Sequence, residues 1–164
     1  MKPTILITGA TGTTGSTAIN TLLELKVRVR ALVHKKDARS EQLRTQGVEI
    51  VEGDLSDFDS VSAALKGITG AYFMYPIQVP GILEGTAIFA QAAIEEGVGL
   101  TVNMSQIAAR KVAKSHASQD HWIAERSTTT KTPSRYAAAG SKKRGVISEM
   151  NGELGPRTTN NPKT

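Results

Sequence analysis

Two rhythms of apolar residues alternate along the first hundred positions: short, β-branched runs, and segments whose apolar positions repeat every three to four residues. Ile5–Ile7 reads as a strand, and Ala18, Ile19, Leu22, Leu23 and Leu25 as the buried stripe of the helix after it. Val27–Val33 is a second strand, Asp37–Gln46 a helix, and Val48–Val51 a strand that stops at Glu52-Gly53-Asp54. Asp57 is a cap for a helix running through Val61, Ala64 and Leu65 to Gly67, a C-terminal stop. The unbroken run Ala71–Tyr75, closed by Pro76, predicts a strand buried on both faces. Ile82, Thr86, Phe89, Ala90, Ala93 and Ile94 mark a helix over 81–96, and Val98–Met104 a fifth strand. Residues 106–118 read as a loop or short helix, and Gln119–Arg126 as the start of another helix.

Five strand and helix alternations with short connections predict an α/β fold. Parallel neighbours need right-handed crossovers, so the architecture is a doubly wound parallel sheet of order 3-2-1-4-5. Ligands in such sheets sit outside the carboxyl ends of the strands, near the switch between strands 1 and 4. The strand exits are therefore the candidate site: residues 9–15, His34 to Lys36, Asp54 and Leu55, Met74 to Pro76, and Asn103 to Gln106.

The first exit carries the strongest signal. Gly9, Gly12 and Gly15 stand at three-residue spacing between a strand and a helix, with Thr11, Thr13 and Thr14 among them. A backbone that doubles back and lets a pyrophosphate approach closely has no room for Cβ atoms at its tight positions. The helix behind it turns free N–H groups and a positive dipole end towards the phosphates. An ordinary tight turn is the competing reading; the strand before it and the helix and strand after it favour dinucleotide binding.

Composition changes this picture only at the C-terminal end. The 164 residues contain no cysteine, which excludes disulfides, thiolate zinc sites and a cysteine nucleophile. Neither an apolar signal core nor a run of about 18 apolar residues is present, so a cytoplasmic protein is expected. The net charge of +5 is uneven: residues 1–126 hold 13 basic and 13 acidic groups, residues 127–164 hold 7 and 2. That last segment, with 11 Ser or Thr and three Pro, reads as a low-complexity basic tail without a stable fold, apart from a brief helix near Arg135–Ala139 or Val146–Met150. Its cluster Lys142-Lys143-Arg144 leaves polyanion binding by the tail as a minor alternative.

Residues 3–126 resemble the NmrA-like atypical members of the short-chain dehydrogenase/reductase superfamily, including azoreductase-like and quinone-reductase-like proteins. The resemblance rests on Thr8-Gly-Ala-Thr-Gly-Thr-Thr-Gly15, Val29-Arg-Ala-Leu-Val33, Val51-Glu-Gly-Asp-Leu55, Asn103-Met-Ser-Gln106 and His121-Trp-Ile-Ala-Glu125. It implies an NAD(P)-binding Rossmann domain over 1–126, with the glycine turn on pyrophosphate, Asp54 and Leu55 lining the adenine pocket, and Ser105 near the nicotinamide. Asp54 as a simple turn cap is the rival. It also implies an oxidoreductase passing hydride from the cofactor to a quinone, azo compound or similar acceptor.

The second strand ends in His34-Lys35-Lys36 rather than in an acid, which favours NADPH over NADH, since basic groups suit the 2′-phosphate. The family's usual arginine is replaced by His34, so only point charges remain for that phosphate. No Tyr-x-x-x-Lys pair is present: Tyr72, Tyr75 and Tyr136 are followed four positions on by Pro76, Val79 and Gly140. His116 and His121 are acid/base candidates by type, His121 pairing with Glu125 one turn away on an exposed helix face. No metal-ligand spacing occurs. The missing pair leaves a non-catalytic NADPH/NADP redox-sensing protein as the alternative function.

Beyond Arg126 the resemblance stops where relatives supply a further strand and a substrate region. The expectation is a truncated form, with a frame or splice change near Ser127 or a genuine short tail. Strand 5 would then expose its outer edge, a route to self-association.

Overall fold

The run Thr4–Thr8 forms β1, buried along its whole length at the middle of a parallel sheet. A computed structural model describes residues 3–77, 79–129 and 136–139. On one side β1 pairs with β2 (Arg28–Val33), which pairs with β3 (Glu49–Glu52); on the other it pairs with β4 (Gly70–Phe73), then β5 (Leu100–Met104). This is the order 3-2-1-4-5 expected from the alternation of elements. The elements between the strands are α1 (Thr13–Glu24), α2 (Ala38–Thr45), α3 (Phe58–Leu65) and α4 (Ile82–Glu95), and α5 (His116–Thr129) follows β5.

Side chains alternate across the sheet and so build two cores. Ile5 and Ile7 face Ile19 and Leu22 of α1 and Leu43 of α2. Leu6 faces the opposite layer, where Val61 and Leu65 of α3 pack with Phe73 of β4 and Phe89 of α4. The rings of Phe73 and Phe89 stack with centroids 4.3 Å apart. All four residues of β4 are buried, as its unbroken apolar run requires.

Local chemistry stops and starts these elements. Asp37 accepts from the Arg39 and Ser40 N–H groups while Ser40 Oγ accepts from the Asp37 N–H, a reciprocal capping box at α2. Asp57 accepts from Ser60 N at the head of α3, the cap its position predicts. α5 begins at His116, three residues ahead of the expected Gln119.

The largest departure lies at the outer edge. Tyr136–Ala139, expected to be at most a brief helix in an unstructured tail, is β6 and pairs in parallel with β5 from Thr101↔Tyr136 to Met104↔Ala139. The row of backbone groups along β5 captures the segment, and this long-range pairing overrides the helix preference of its three alanines. β5 is therefore covered over this stretch, and the exposed edge expected to drive self-association is absent there. The alternative helix at Val146–Met150 lies outside the described residues.

Candidate functional site

At the exit of β1 the chain turns through Gly9, whose φ of +61° is a left-handed conformation suited to glycine. Gly12 N–H donates to Gly9 O at 3.0 Å, closing the turn. Gly15, one turn into α1, packs so closely on the turn that a Cβ there would lie 2.8 Å from Gly9 C and 2.9 Å from Ala10 Cα, both backbone atoms. Only glycine lets the helix start this near the strand. Gly12 is the N-cap residue, with extended φ and ψ and no side chain to cap α1, whose first-turn N–H groups therefore receive no side-chain partner. Gly12, Thr13 and Thr14 are exposed and Thr11 is half-buried, so this helix end opens to solvent.

Met74 closes the other side of the turn. Its Cε fills the space a Cβ on Gly9 would need and lies 3.9 Å from the corresponding position on Gly12. Buried Thr8 holds the two strand ends together: its hydroxyl donates to Met74 O at 2.8 Å and accepts from Met74 N at 2.7 Å. The sequence gives no sign of this bridge, because threonine in a strand is ordinary.

His34 and Asp54 leave neighbouring strands 20 positions apart in the chain, and their ring Nδ1 and carboxylate Oδ2 stand 3.9 Å apart with both side chains exposed. Asp54 Oδ1 accepts from Ser56 N at 2.9 Å and Ser56 Oγ at 2.7 Å. The Ser56 backbone N–H, then its hydroxyl, then the nearby His34 hold the Asp54 carboxyl below its ordinary value. Asp54 thus does cap its turn through one oxygen while the other faces His34. Lys35 and Lys36 are exposed beside them, and Leu55 is half-buried behind.

Tyr75 faces away from the glycine turn. Its ring lies against Gly85, and its hydroxyl donates to Pro80 O at 2.8 Å, tying down the segment before α4. Burial pushes this phenol's pKa up. Pro76 is exposed at the rim. Ser105, just past β5, is buried, and its Oγ has no hydrogen-bond partner among the described residues. A buried hydroxyl without a partner is costly unless something else occupies it.

The histidine expectation needs correction. Ser118, His121 and Ala124 recur at three-residue spacing on the buried side of α5, so His121 is 6% exposed rather than on an open face. Packing of α5 against α4 takes that face out of solvent. Burial lowers the His121 pKa, with Glu125 and Asp120 opposing the shift. His116, the first residue of α5, is exposed. Between α5 and the segment entering α4 lies a cleft of about 210 Å³, bordered by Pro76, Ile77, Val79 and Pro80 on one side and by Asp120 and His121 on the other. Nothing in the linear pattern links these two segments.

Known proteins share this architecture. The chain is 35% identical over 94 residues to an NAD(P)H azoreductase of Xenophilus azovorans, covering 57% of this chain and 32% of that protein. An NADPH-dependent quinone oxidoreductase of Escherichia coli, solved with NADPH, superposes with a TM-score of 0.70 at 24% identity, over 80% of this chain and 46% of the other. A Citrobacter sp. triphenylmethane reductase, solved with NADP(H), gives 0.67 at 23% identity, over 77% and 45%. At these identities the two structures speak for the fold alone. The chain spans less than half the length of each of these three. A model of the NmrA-like family matches residues 1–126, covering all five strands of the predicted sheet and the glycine turn, and the chain belongs to that family.

Proposed function

We propose that this domain binds NADPH and forms the cofactor half of a reductase that passes hydride to a quinone, azo compound or similar acceptor. The observation that carries the reading is the uncapped, solvent-facing start of α1 behind a turn in which the Gly15 Cβ position is blocked by backbone. Such a helix end accommodates an anion that approaches the backbone closely. In this assignment Gly9, Thr11, Gly12, Thr13, Thr14 and Gly15 hold the pyrophosphate. Lys35 and Lys36, with His34, receive the 2′-phosphate, and Asp54 and Leu55 border the adenine. Met74 and Pro76 border the passage towards the nicotinamide, and Tyr75, whose ring packs on Gly85, braces the segment between them and α4. The unpartnered Ser105 hydroxyl fits a hydrogen bond to the carboxamide.

The bound cofactor supplies the hydride; the chain supplies binding and orientation. NADP(H) bound in two proteins of the same fold supports a nicotinamide ligand. The two lysines and the absence of an acid at the exit of β2 favour the phosphorylated form. A second reading, a redox sensor without turnover, draws on the buried state of Tyr72 and Tyr75: neither phenol is open to a substrate, and the side chains described on α5 include no tyrosine.

Calorimetric titration with NADPH and NADH, followed by an assay of NADPH oxidation with a quinone and an azo dye, tests both. Binding with turnover supports the reductase and binding without it the sensor. Failure to bind either nucleotide refutes both.

A further inference from the structure

Among the described residues, five large aliphatic side chains stand at least half exposed, and four of them, Ile77, Val79, Ile107 and Val112, lie in the segments that leave β4 and β5. These strands are parallel neighbours, so both segments emerge at the same, carboxyl edge of the sheet. Scattered singly, such side chains need no explanation; gathered on one edge, they do. The two most exposed, Ile107 at 69% and Val112 at 86%, belong to one loop, residues 105–115, between β5 and α5. Hydrogen bonds hold that loop at both ends. Ala109 N–H donates to Gln106 O at 3.0 Å, a turn with Ile107 and Ala108 at its tip, and the Gln119 side-chain amide of α5 donates to Ala113 O at 2.8 Å. Arg110, Lys111 and Lys114 are exposed in the same loop, and no acid occurs between Glu96 and Asp120. Residues 1–126 as a whole balance in charge, so these three cations are a local concentration beside the exposed aliphatics.

We propose that the 105–115 loop docks on an anionic lipid surface, with Ile107 and Val112 entering the boundary between headgroups and acyl chains and Arg110, Lys111 and Lys114 meeting the headgroup phosphates. Each half of the pattern narrows the partner. Cations alone suit any polyanion, but two exposed β-branched aliphatics gain nothing from a phosphate backbone, and the loop holds no aromatic side chain to stack on bases. Aliphatics alone suit an apolar protein groove, where an acid-free set of cations beside them would have to be desolvated. A lipid boundary offers hydrocarbon and phosphate within the length of one side chain, so it takes both at once. No helix among the described residues is long and apolar enough to cross a membrane, which makes the contact peripheral. Two aliphatics and three cations form a weak, reversible anchor that responds to salt and to lipid charge. Residues 127–164, with 7 basic and 2 acidic groups, add an attraction of the same sign.

The test is flotation of the full chain with vesicles of phosphatidylcholine alone and of phosphatidylcholine with about 25% phosphatidylglycerol. Binding to the anionic vesicles that weakens with salt, and little binding to the neutral ones, is expected. The double variant Ile107→Ser with Val112→Ser lowers the anionic binding about tenfold, and Lys111→Gln with Lys114→Gln lowers it about fivefold for each cation removed. All four positions are exposed, and unchanged thermal melting verifies that both variants fold. The basic residues 127–164 can draw the chain to anionic vesicles without the loop, so the aliphatic pair decides. Undiminished vesicle binding in Ile107→Ser with Val112→Ser overturns the proposal, as does failure of the unaltered chain to bind anionic vesicles. Binding of a single-stranded RNA as tightly as vesicles, dependent on the lysines and indifferent to the aliphatic pair, also overturns it and makes the loop a polyanion contact.

Discussion

The Thr8 hydroxyl both donates to and accepts from the Met74 backbone, at 2.8 and 2.7 Å, and so joins the ends of β1 and β4 at the crevice where the sheet changes direction. One buried side chain satisfies the N–H and the C=O of a residue that has already left the β4 ladder. It fixes Met74 against Gly9 and thus sets one wall of the candidate cofactor site.

Replacing Thr8 by Val keeps the shape and removes the hydroxyl, leaving two backbone groups without their partner. The expected loss is about 1–3 kcal/mol of stability, measured by urea unfolding. Thr8→Ser, which keeps the oxygen, is expected to lose less than half as much. A larger loss in Thr8→Ser than in Thr8→Val would show that the methyl group, not the bridge, matters.

Gly15→Ala drives a Cβ into the backbone of Gly9 and Ala10, which cannot move aside as a flexible side chain would. A destabilisation of about 1–3 kcal/mol is expected, together with a fall of at least about tenfold in NADPH affinity by calorimetry. Gly47→Ala is the control. Its φ of +91° makes any side chain strained, but no atom of the described residues lies within 4 Å and it is remote from the crevice, so stability falls while nucleotide affinity holds.

Lys35 and Lys36 are exposed and serve as point charges for the 2′-phosphate. The double change Lys35→Glu and Lys36→Glu is expected to weaken NADPH about tenfold and to leave NADH nearly unchanged, with the difference shrinking at high salt. Equal effects on both nucleotides would remove these lysines from the specificity assignment.

His121 has a pKa below its ordinary 6.5 because burial disfavours the charged ring. The unfolded chain then binds the extra proton first as pH falls, so its contribution to stability is present above pH 6.5 and is lost as pH drops through the lower folded value. Melting temperature should decline between pH 7.5 and 5, and His121→Gln should flatten that decline. The lowered carboxyls of Asp37, Glu41 and Asp54 act in a different window, below their ordinary values of 3.8 to 4.5. An unchanged slope in His121→Gln would assign the decline to other groups.

The sequence by itself determined the sheet order and the glycine turn. Both follow from local rules: apolar periodicity sets each element, short connections make neighbours parallel, and glycine is demanded where the backbone folds on itself. It also put the strand exits, those of His34 and Asp54 among them, at one edge of the sheet; that these two side chains stand 3.9 Å apart is a finding of the structure. Only the tertiary structure decided that Tyr75 serves the core and that His121 is buried on the α4 side of α5. Periodicity tells which residues share a face, but not which of two weakly apolar faces another helix will cover. The capture of Tyr136–Ala139 by β5 was hidden for a related reason: three alanines carry no strand signal of their own, and the pairing partner that makes them a strand lies 35 residues earlier in the chain.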